Sequence, residues 1–501
     1  MQIPPRAELP MVLVAGAAFP LAFSPFDVFV LAPVCVAALL LAWRSASPKR
    51  AFWLGFAFGE VSFLAGMHWV YISIHYFGET PAILAAVLTI ALVTVLAAFI
   101  AVTGWVAARW FETDGAWAWL GVVPALWVLA EWCRGWFFSG LGWLSVGYSQ
   151  TDSWLMGYAP VGGVLLMSWA AVLTAGALVT LLLGASRART LAAGIIAVIW
   201  VAGYGLQQYR WTGPNGDIIT VALVQGAVAQ DLKWQPQQLL PTIELYRRLT
   251  EGALGSTLIV WPEAAIPALY EEVSAYLDDL RRWAQDHGSA VMLGILRRDT
   301  QGQSFQNTLA ALGETTEFYV KRHLVPYGEY FPVPDFARRW LRLMSLPVAF
   351  SDATPGPPRQ PPLSIAGQRV GATICYEDAF GAEQLHYLPE ATLLVNVSND
   401  AWFGDSIAPH QHLQIARVRA VETGRYMLRA TNTGVSAIID PSGRIVGQSP
   451  QFEPHLLKGA VQGFLGRTPY AVCGNYLAVV CASIVLAFQL LTTKFTIRLG
   501  T

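Results

Sequence analysis

The sequence predicts a multi-span α-helical membrane bundle joined to an outward-facing α/β domain, and three observations lead there. The first is composition. Of 501 residues, 54% are hydrophobic and only 13% charged, with a mean hydropathy of +0.45, whereas an ordinary globular chain carries about 25% charged residues. The second is distribution. From 51 to 108 the only charged residues are Glu60 and Glu79, while the middle third holds both signs throughout, so the solvent changes along the chain. The third is periodicity: in that middle third short β-rich runs alternate with helical stretches, the pattern of an α/β layered domain. The formal net charge of −1 and the pI near 6.7 leave no basic excess, which excludes nucleic acid as a partner.

Taken in chain order, apolar stretches at 10–24, 28–43, 52–73, 82–108, 117–136, 160–183, 190–207 and 470–491 are expected to span the membrane. A span needs about 20 apolar residues, fewer where neighbours shelter it. The first is kept as a span and not a cleaved leader, because Glu8 accompanies Arg6 in its flank and no small-x-small site follows Pro20, Ser24 and Pro25. Orientation follows from the short loops. Arg44, Lys49 and Arg50, then Arg109, then Arg187 and Arg189, then Lys494 and Arg498 all fall on one side, and the loops at 25–27 and 74–81 have no Lys or Arg. By the positive-inside rule both termini are cytoplasmic. The expected division is residues 1–207 as seven spans, 208–467 as an outward domain, periplasmic in a bacterium, and 468–501 as the eighth span with a cytoplasmic tail. Arg134, near the outer end of span five in Glu131-Trp-Cys-Arg134, is the exception to the basic pattern. Glu131 and Arg134 can pair on one helix face, as a structural ion pair or as a lipid headgroup contact.

Within the outward domain, strands are expected at 218–225, 257–261, 290–296, 308–312, 318–321, 369–375, 392–398, 428–431 and 436–440, and helices at 236–253, 269–287 and 409–425. The proline-rich stretch 331–362 fits neither. Its Arg338, Arg339 and Arg342 beside Trp340, Leu341, Leu343 and Met344 read either as an interfacial lid or as a surface loop packed on its own domain.

Chemistry enters with Cys375, which closes the apolar run Val370-Gly-Ala-Thr-Ile-Cys375 and has no second cysteine between 217 and 467. That leaves an inert core thiol or a nucleophile. Cys35, Cys133, Cys473 and Cys481 lie in apolar segments and make no disulfide framework. Two further segments favour the nucleophile. Trp261-Pro-Glu263 follows one strand-like run, and Lys321-Arg-His-Leu-Val-Pro-Tyr-Gly-Glu329 follows another, so a glutamate, a lysine and a cysteine stand just past strand ends, where they can converge on one pocket. A resting thiol near pKa 8.5 needs a base to take its proton and a cation to hold thiolate and oxyanion. Glu263 and Lys321 supply both.

Trp-Pro-Glu, Lys-x-His-Leu-Val-Pro-x-Gly-Glu and Cys-Tyr-Glu, in that order within an α/β domain, resemble the nitrilase superfamily and its Glu-Lys-Cys triad. With the flanking spans, Glu131-Trp-Cys-Arg134, Asn396-Val-Ser-Asn-Asp-Ala-Trp-Phe-Gly404 and Arg425-x-x-x-Arg429-Ala-Thr-Asn-Thr-Gly434, nearly the whole chain is similar to the apolipoprotein N-acyltransferases of the Gram-negative inner membrane. The resemblance implies an α-β-β-α sandwich and a two-step reaction. Cys375 attacks the acyl ester of a phospholipid, phosphatidylethanolamine in particular. Glu263 takes the thiol proton and returns it to the leaving lysophospholipid, and Lys321 stabilises the tetrahedral intermediate. The amine of a diacylglyceryl-modified cysteine on an apolipoprotein then takes the acyl group from the thioester. No metal or organic cofactor is required, because a thioester already stores the activation that amide formation needs.

Supporting residues follow. Glu329 and Glu377 can orient the lysine or the pocket. Trp234 matches a family tryptophan placed for substrate contact, the Tyr376 backbone N–H is an oxyanion donor, and Asn307 is a ligand or a turn-former. His410 and His412 stand at i and i+2 on an expected helix and point apart, with no carboxylate or cysteine completing a zinc set. A membrane-tethered nitrilase-like hydrolase would use the same triad with water as second nucleophile. The amount of membrane favours a lipid substrate over a soluble amide.

Overall fold

The computed structural model describes residues 4–111, 115–299, 302, 304–330 and 353–499, and the chain divides into two compact units. One comprises Met1–His68, Ala86–Arg210 and Val472–Thr501; the other comprises Trp69–Ala85 and Trp211–Ala471. Of the proline-rich stretch 331–362, read as an interfacial lid or as a packed surface loop, residues 331–352 lie outside the described residues.

The first unit is helical. Pro5–Ala18, Leu31–Trp43, Pro48–Gly66, Ala82–Trp110, Val123–Arg134, Ala159–Leu183, Ser186–Gln208 and Tyr476–Leu499 overlap the eight expected spans in order. Among the described residues, Ala82–Trp110, Trp154–Leu183 and Ser186–Gln208 are long and apolar enough to cross a membrane; Leu31–Trp43 and Tyr476–Thr492 are shorter apolar helices. Helix Pro48–Gly66 begins before the expected 52 because Ser47 caps it, accepting from the Arg50 amide at 3.4 Å, with proline at the first helical position. A side chain at Gly59 would meet Ala97 Cα at 2.8 Å, so a glycine there lets two helices approach closely.

Glu131 and Arg134 are both buried and serve the turn that follows their helix. Glu131 Oε1 accepts from Trp127 Nε1 at 3.0 Å and from the Val146 amide at 2.8 Å, while Arg134 donates to the Trp143 carbonyl at 2.7 Å and to Ser145 Oγ at 2.9 Å. The two charges act on each other electrostatically but spend their hydrogen bonds on a joint grip of 143–146, which satisfies backbone groups that lipid could not.

The second unit contains two six-stranded sheets among the described residues. In the first, β1 (Thr212–Gln225), β2 (Leu258–Val260), β3 (Ala290–Arg298), β4 (Phe305–Leu312) and β5 (Thr316–Val320) follow in order, with β12 (His455–Gly466) outside β1. In the second, β6 (Leu363–Ile365), β7 (Gln368–Ile374), β8 (Leu393–Ser398), β9 (Met427–Thr431), β10 (Ala437–Ile439) and β11 (Ile445–Gln448) lie side by side. Strands β1, β2 and β3 run parallel, as do β7, β8 and β9.

Period-two alternation builds the layers. Val221 and Leu223, Leu258 and Val260, Leu309 and Ala311 point one way and meet Val370, Ala372 and Ile374, Leu393, Val395 and Val397 of the other sheet in one buried cluster. The alternate residues, Ala222, Ile259, Trp261, Val291 and Leu293, bury against Tyr246 of helix Leu239–Ala253 and Leu277 and Leu280 of helix Ser274–Asp286. Leu394, Met427 and Ile439 do the same against Leu413, Ala416 and Ala420 of helix Ala408–Thr423. The result is the α-β-β-α sandwich.

Strands β6, β11 and β12 were absent from the sequence expectation, and each is the outermost strand of its sheet. An outer strand is covered less completely and needs no strict alternation; β12 also carries Lys458 and three glycines. The expected span 52–73 stops at Gly66. From Trp69 the chain packs within the second unit: the Trp69 ring meets Phe403 edge-on at 4.8 Å, and Ser73 Oγ donates to the Trp402 carbonyl at 2.7 Å.

Candidate active site

Parallel strands deliver their carboxyl ends to one side of a sheet, where loops are free to carry chemistry. Here β2 ends at Val260 and Glu263 follows; β5 ends at Val320 and Lys321 follows; β7 ends at Ile374 and Cys375 follows; β8 ends at Ser398 and Asn399 follows.

Trp261 anchors the first turn. It is fully buried, stacks on Tyr246 at 4.8 Å and donates from Nε1 to Thr250 Oγ1 at 3.1 Å. Gly294 of β3 lets the turn pass, since a Cβ there would lie 2.5 Å from Glu263 Cα. The Glu263 carboxylate is held on both oxygens. Oε1 accepts from Asn307 Nδ2 at 2.7 Å and Lys321 Nζ at 3.4 Å, and Oε2 accepts from the Asn399 backbone amide at 2.8 Å.

Lys321 is 1% exposed. Its Nζ lies 2.9 Å from Glu329 Oε1, and Asn307 Nδ2 donates to the same oxygen at 3.0 Å, while Glu329 Oε2 accepts from the Val325 amide at 2.8 Å. Burial alone would favour the neutral amine. The carboxylates of Glu329 and Glu263 outweigh it, so the ammonium is held above the usual lysine range.

Cys375 adopts φ +52°, a left-handed conformation that costs a non-glycine residue about 1 kcal/mol or more. Its carbonyl is approached by His412 Nε2 and by Asn396 Nδ2, each at 3.3 Å. The residue keeps partial exposure, yet its thiol is pushed well above the ordinary range, first by burial and then by the Glu263 carboxylate, with Lys321 opposing both. Such a thiol rests protonated. A base within reach is therefore a requirement of any nucleophilic step.

Glu377 fastens the second and third turns together. Its oxygens accept from Tyr319 Oη at 3.0 Å, from the Arg322 and His323 amides at 2.7 and 3.1 Å, and from the Ile374 amide at 2.8 Å. It holds the segment after Lys321 to the strand end before Cys375. Tyr376, partly exposed, meets His323 and Phe380 edge-on at 5.7 and 4.9 Å. Trp234 stands 48% exposed beyond the short helix Gln230–Lys233.

The structure thus brings Glu263, Lys321, Glu329 and Asn307 into one hydrogen-bonded group, places Cys375 within its electrostatic reach, and sets Glu377 behind it as a brace. Two features were not expected from the sequence. Lys233, beside Trp234, is 1% exposed and places Nζ 3.3 Å from the Glu263 carbonyl. Beneath Cys375, His412 sits between Asp378 at 2.8 Å and Asp400 at 2.9 Å, and Arg429 reaches both carboxylates at 3.0 Å. Burial and Arg429 oppose charge on the imidazole, but the two carboxylates prevail and lift it to about 9. Sequence spacing showed no carboxylate beside this histidine; the fold brings two from distant positions and makes it their ion-pair partner.

A family model described as carbon-nitrogen hydrolase matches residues 220–470, and one described as apolipoprotein N-acyltransferase N-terminal domain matches residues 15–177. The apolipoprotein N-acyltransferase of Methylococcus capsulatus is 44% identical over 477 residues, covering 95% of this chain and 94% of that protein. That of Nitrosomonas europaea is 45% identical over 468 residues, covering 92% and 93%. Among solved structures, a CN-hydrolase superfamily protein of Xanthomonas campestris is 18% identical, covers 49% of this chain and 91% of its own, and has a TM-score of 0.36.

Proposed function

The chain belongs to the apolipoprotein N-acyltransferase family, and from that premise we propose that Cys375 is the residue through which the acyl chain passes. As a member, the protein is a membrane acyltransferase that moves an acyl chain from a phospholipid to the amino terminus of lipoproteins. The residue roles, the donor headgroup and the topology are our reading.

Glu263 takes the proton from the Cys375 thiol as sulfur attacks the ester carbonyl of the donor. Oxyanion charge develops against the Lys321 ammonium and the Tyr376 backbone amide. Collapse breaks the ester C–O bond, and Glu263 returns the proton to the lysophospholipid. In the second half the free amine of the diacylglyceryl-cysteine attacks the thioester, Glu263 accepts the amine proton, and the departing thiolate recovers it. One acyl group has moved, and every proton is returned. Asn307 and Glu329 keep the base and the lysine in register, Glu377 braces both turns, and the exposed Trp234 is the proposed contact for an acyl chain or lipopeptide. Phosphatidylethanolamine is the donor in this reading.

The observation that supports these roles best is that a carboxylate and an ammonium, 3.4 Å apart and buried, both act electrostatically on the Cys375 thiol, the first raising it and the second lowering it. Residues 1–207 are then seven spans, 208–467 the catalytic domain outside the bacterial inner membrane, and 468–501 the eighth span and its tail. A protease applied to the outer face of spheroplasts should cut within 208–467 and spare the loop at 44–50. Purified protein given phosphatidylethanolamine and a diacylated lipopeptide should yield the triacylated amide; release of free fatty acid alone would favour a nitrilase-like hydrolase.

A further inference from the structure

Lys233 is placed in a way that its position in the chain does not require. It ends a four-residue helix whose neighbours Leu232 and Trp234 are 43% and 48% exposed, yet its own side chain turns inward and is 1% exposed. Lysine stems bury readily while the ammonium keeps to water; here the ammonium is buried too. Among the described residues it makes one hydrogen bond, to the Glu263 carbonyl, and no ion pair within 4.0 Å. An ammonium so placed is expensive, because its hydrogen-bond acceptor is a neutral carbonyl and no carboxylate among the described residues touches it to repay desolvation. An apolar side chain of the same length would fill that space at no such cost, so packing does not explain the lysine.

The surroundings supply a reason. Glu263, Glu329 and Lys321 form a hydrogen-bonded trio with two carboxylates to one ammonium. Lys233 is the second ammonium, and it is bound to the same residue as the base carboxylate. Its segment is also tied to the other side of that residue: Asn399 donates from Nδ2 to Gln230 Oε1 at 2.8 Å and from its backbone amide to Glu263 Oε2 at 2.8 Å.

We propose that Lys233 is a positioning residue for the acyl-transfer reaction, holding the Glu263 turn by its carbonyl and supplying the positive charge that balances the second carboxylate of the buried trio. The proposal rests on the reading of Glu263 as the base. Burial brings Lys233 down to about 8, with Glu263 opposing the fall, so the group is largely an ammonium at neutral pH.

The test uses the full-length protein in detergent with phosphatidylethanolamine alone, and follows the pre-steady-state rate of acyl adduct formation in wild type, Lys233→Met and Lys233→Arg, alongside the thermal unfolding midpoint. Lys233→Met should lower the saturating acylation rate by about tenfold, within the range that misplacing a catalytic group costs once its turn loses the anchor on the Glu263 carbonyl. The half-saturating donor concentration should be unchanged and the unfolding midpoint equal or higher. Lys233→Arg, which keeps the charge, should recover part of the rate. Wild-type rates in Lys233→Met would overturn the proposal, as would equal loss of rate in both variants together with a fall in unfolding midpoint, which is the signature of a merely structural residue. Absence of the adduct in wild type would instead count against the reading of Cys375 and Glu263.

Discussion

The Lys321 ammonium is bound by Glu329 at 2.9 Å, closer than the 3.4 Å that separates it from Glu263. The lysine is thus anchored by a carboxylate that is not the base, and the base is left with Asn307 and the Asn399 amide as its closer partners. This division lets Glu263 gain and lose a proton while Lys321 stays charged. Glu329→Gln keeps the shape and removes the charge. A hydrogen bond to a charged group contributes about 1.5–3 kcal/mol, so the acylation rate should fall by about 10- to 100-fold, measured as pre-steady-state adduct formation. An unchanged rate would mean that Glu329 only packs.

Lys321→Arg retains a cation but replaces a compact ammonium with a planar fork. In a site where Nζ is 1% exposed and already meets two carboxylates, the larger head must displace Asn307 or the acyl carbonyl. Turnover should drop by about 100-fold or more, the scale of losing one oxyanion donor, with folding preserved by circular dichroism. Near-normal turnover would reduce the lysine to a distant charge.

His412 carries a pH signature of its own. It is lifted to about 9 in the fold from an ordinary 6.5, because Asp378 and Asp400 outweigh burial and Arg429. Since the folded value is the higher one, its stabilisation is fully present below about 6.5 and is lost as pH rises through 9. The thermal midpoint of the wild-type protein should therefore fall between pH 7 and pH 10. In His412→Gln that fall should flatten, from a lower starting point, because Gln leaves two buried aspartates with Arg429 alone. A variant curve parallel to wild type would show that His412 is neutral in the fold.

The three residues of the proposed triad could be picked out because each follows a β-rich run by one to three positions, and a strand end is where an ionisable residue can be both buried and free of the ladder. Glu329 was legible by its spacing from Lys321, whereas Asn307 read equally as a ligand or a turn-former, and its contacts to Glu263 and Glu329 are seen only in the fold. The His412, Asp378, Asp400 and Arg429 cluster was not. Its members come from four elements, and helix Ala408–Thr423 buries Gln411, His412, Gln414, Arg419 and Glu422, so the polar face that periodicity would assign to water faces protein. Lys233 was missed for the same reason: beside an exposed tryptophan a lysine reads as solvated, and only the Glu263 turn explains its burial. Glu131 and Arg134 were recognised as partners by spacing, but the 143–146 turn that occupies them is nine or more residues further along the chain.

The central claim is that Cys375 holds the acyl chain as a thioester between two half-reactions, and intact mass after incubation with phosphatidylethanolamine alone measures it directly. One added fatty acyl group is expected on wild type, none on Cys375→Ala, with release by hydroxylamine and discharge into an amide when a diacylated lipopeptide is added, as a ping-pong sequence demands. Steady release of free fatty acid with no trapped adduct and no lipopeptide product would contradict it.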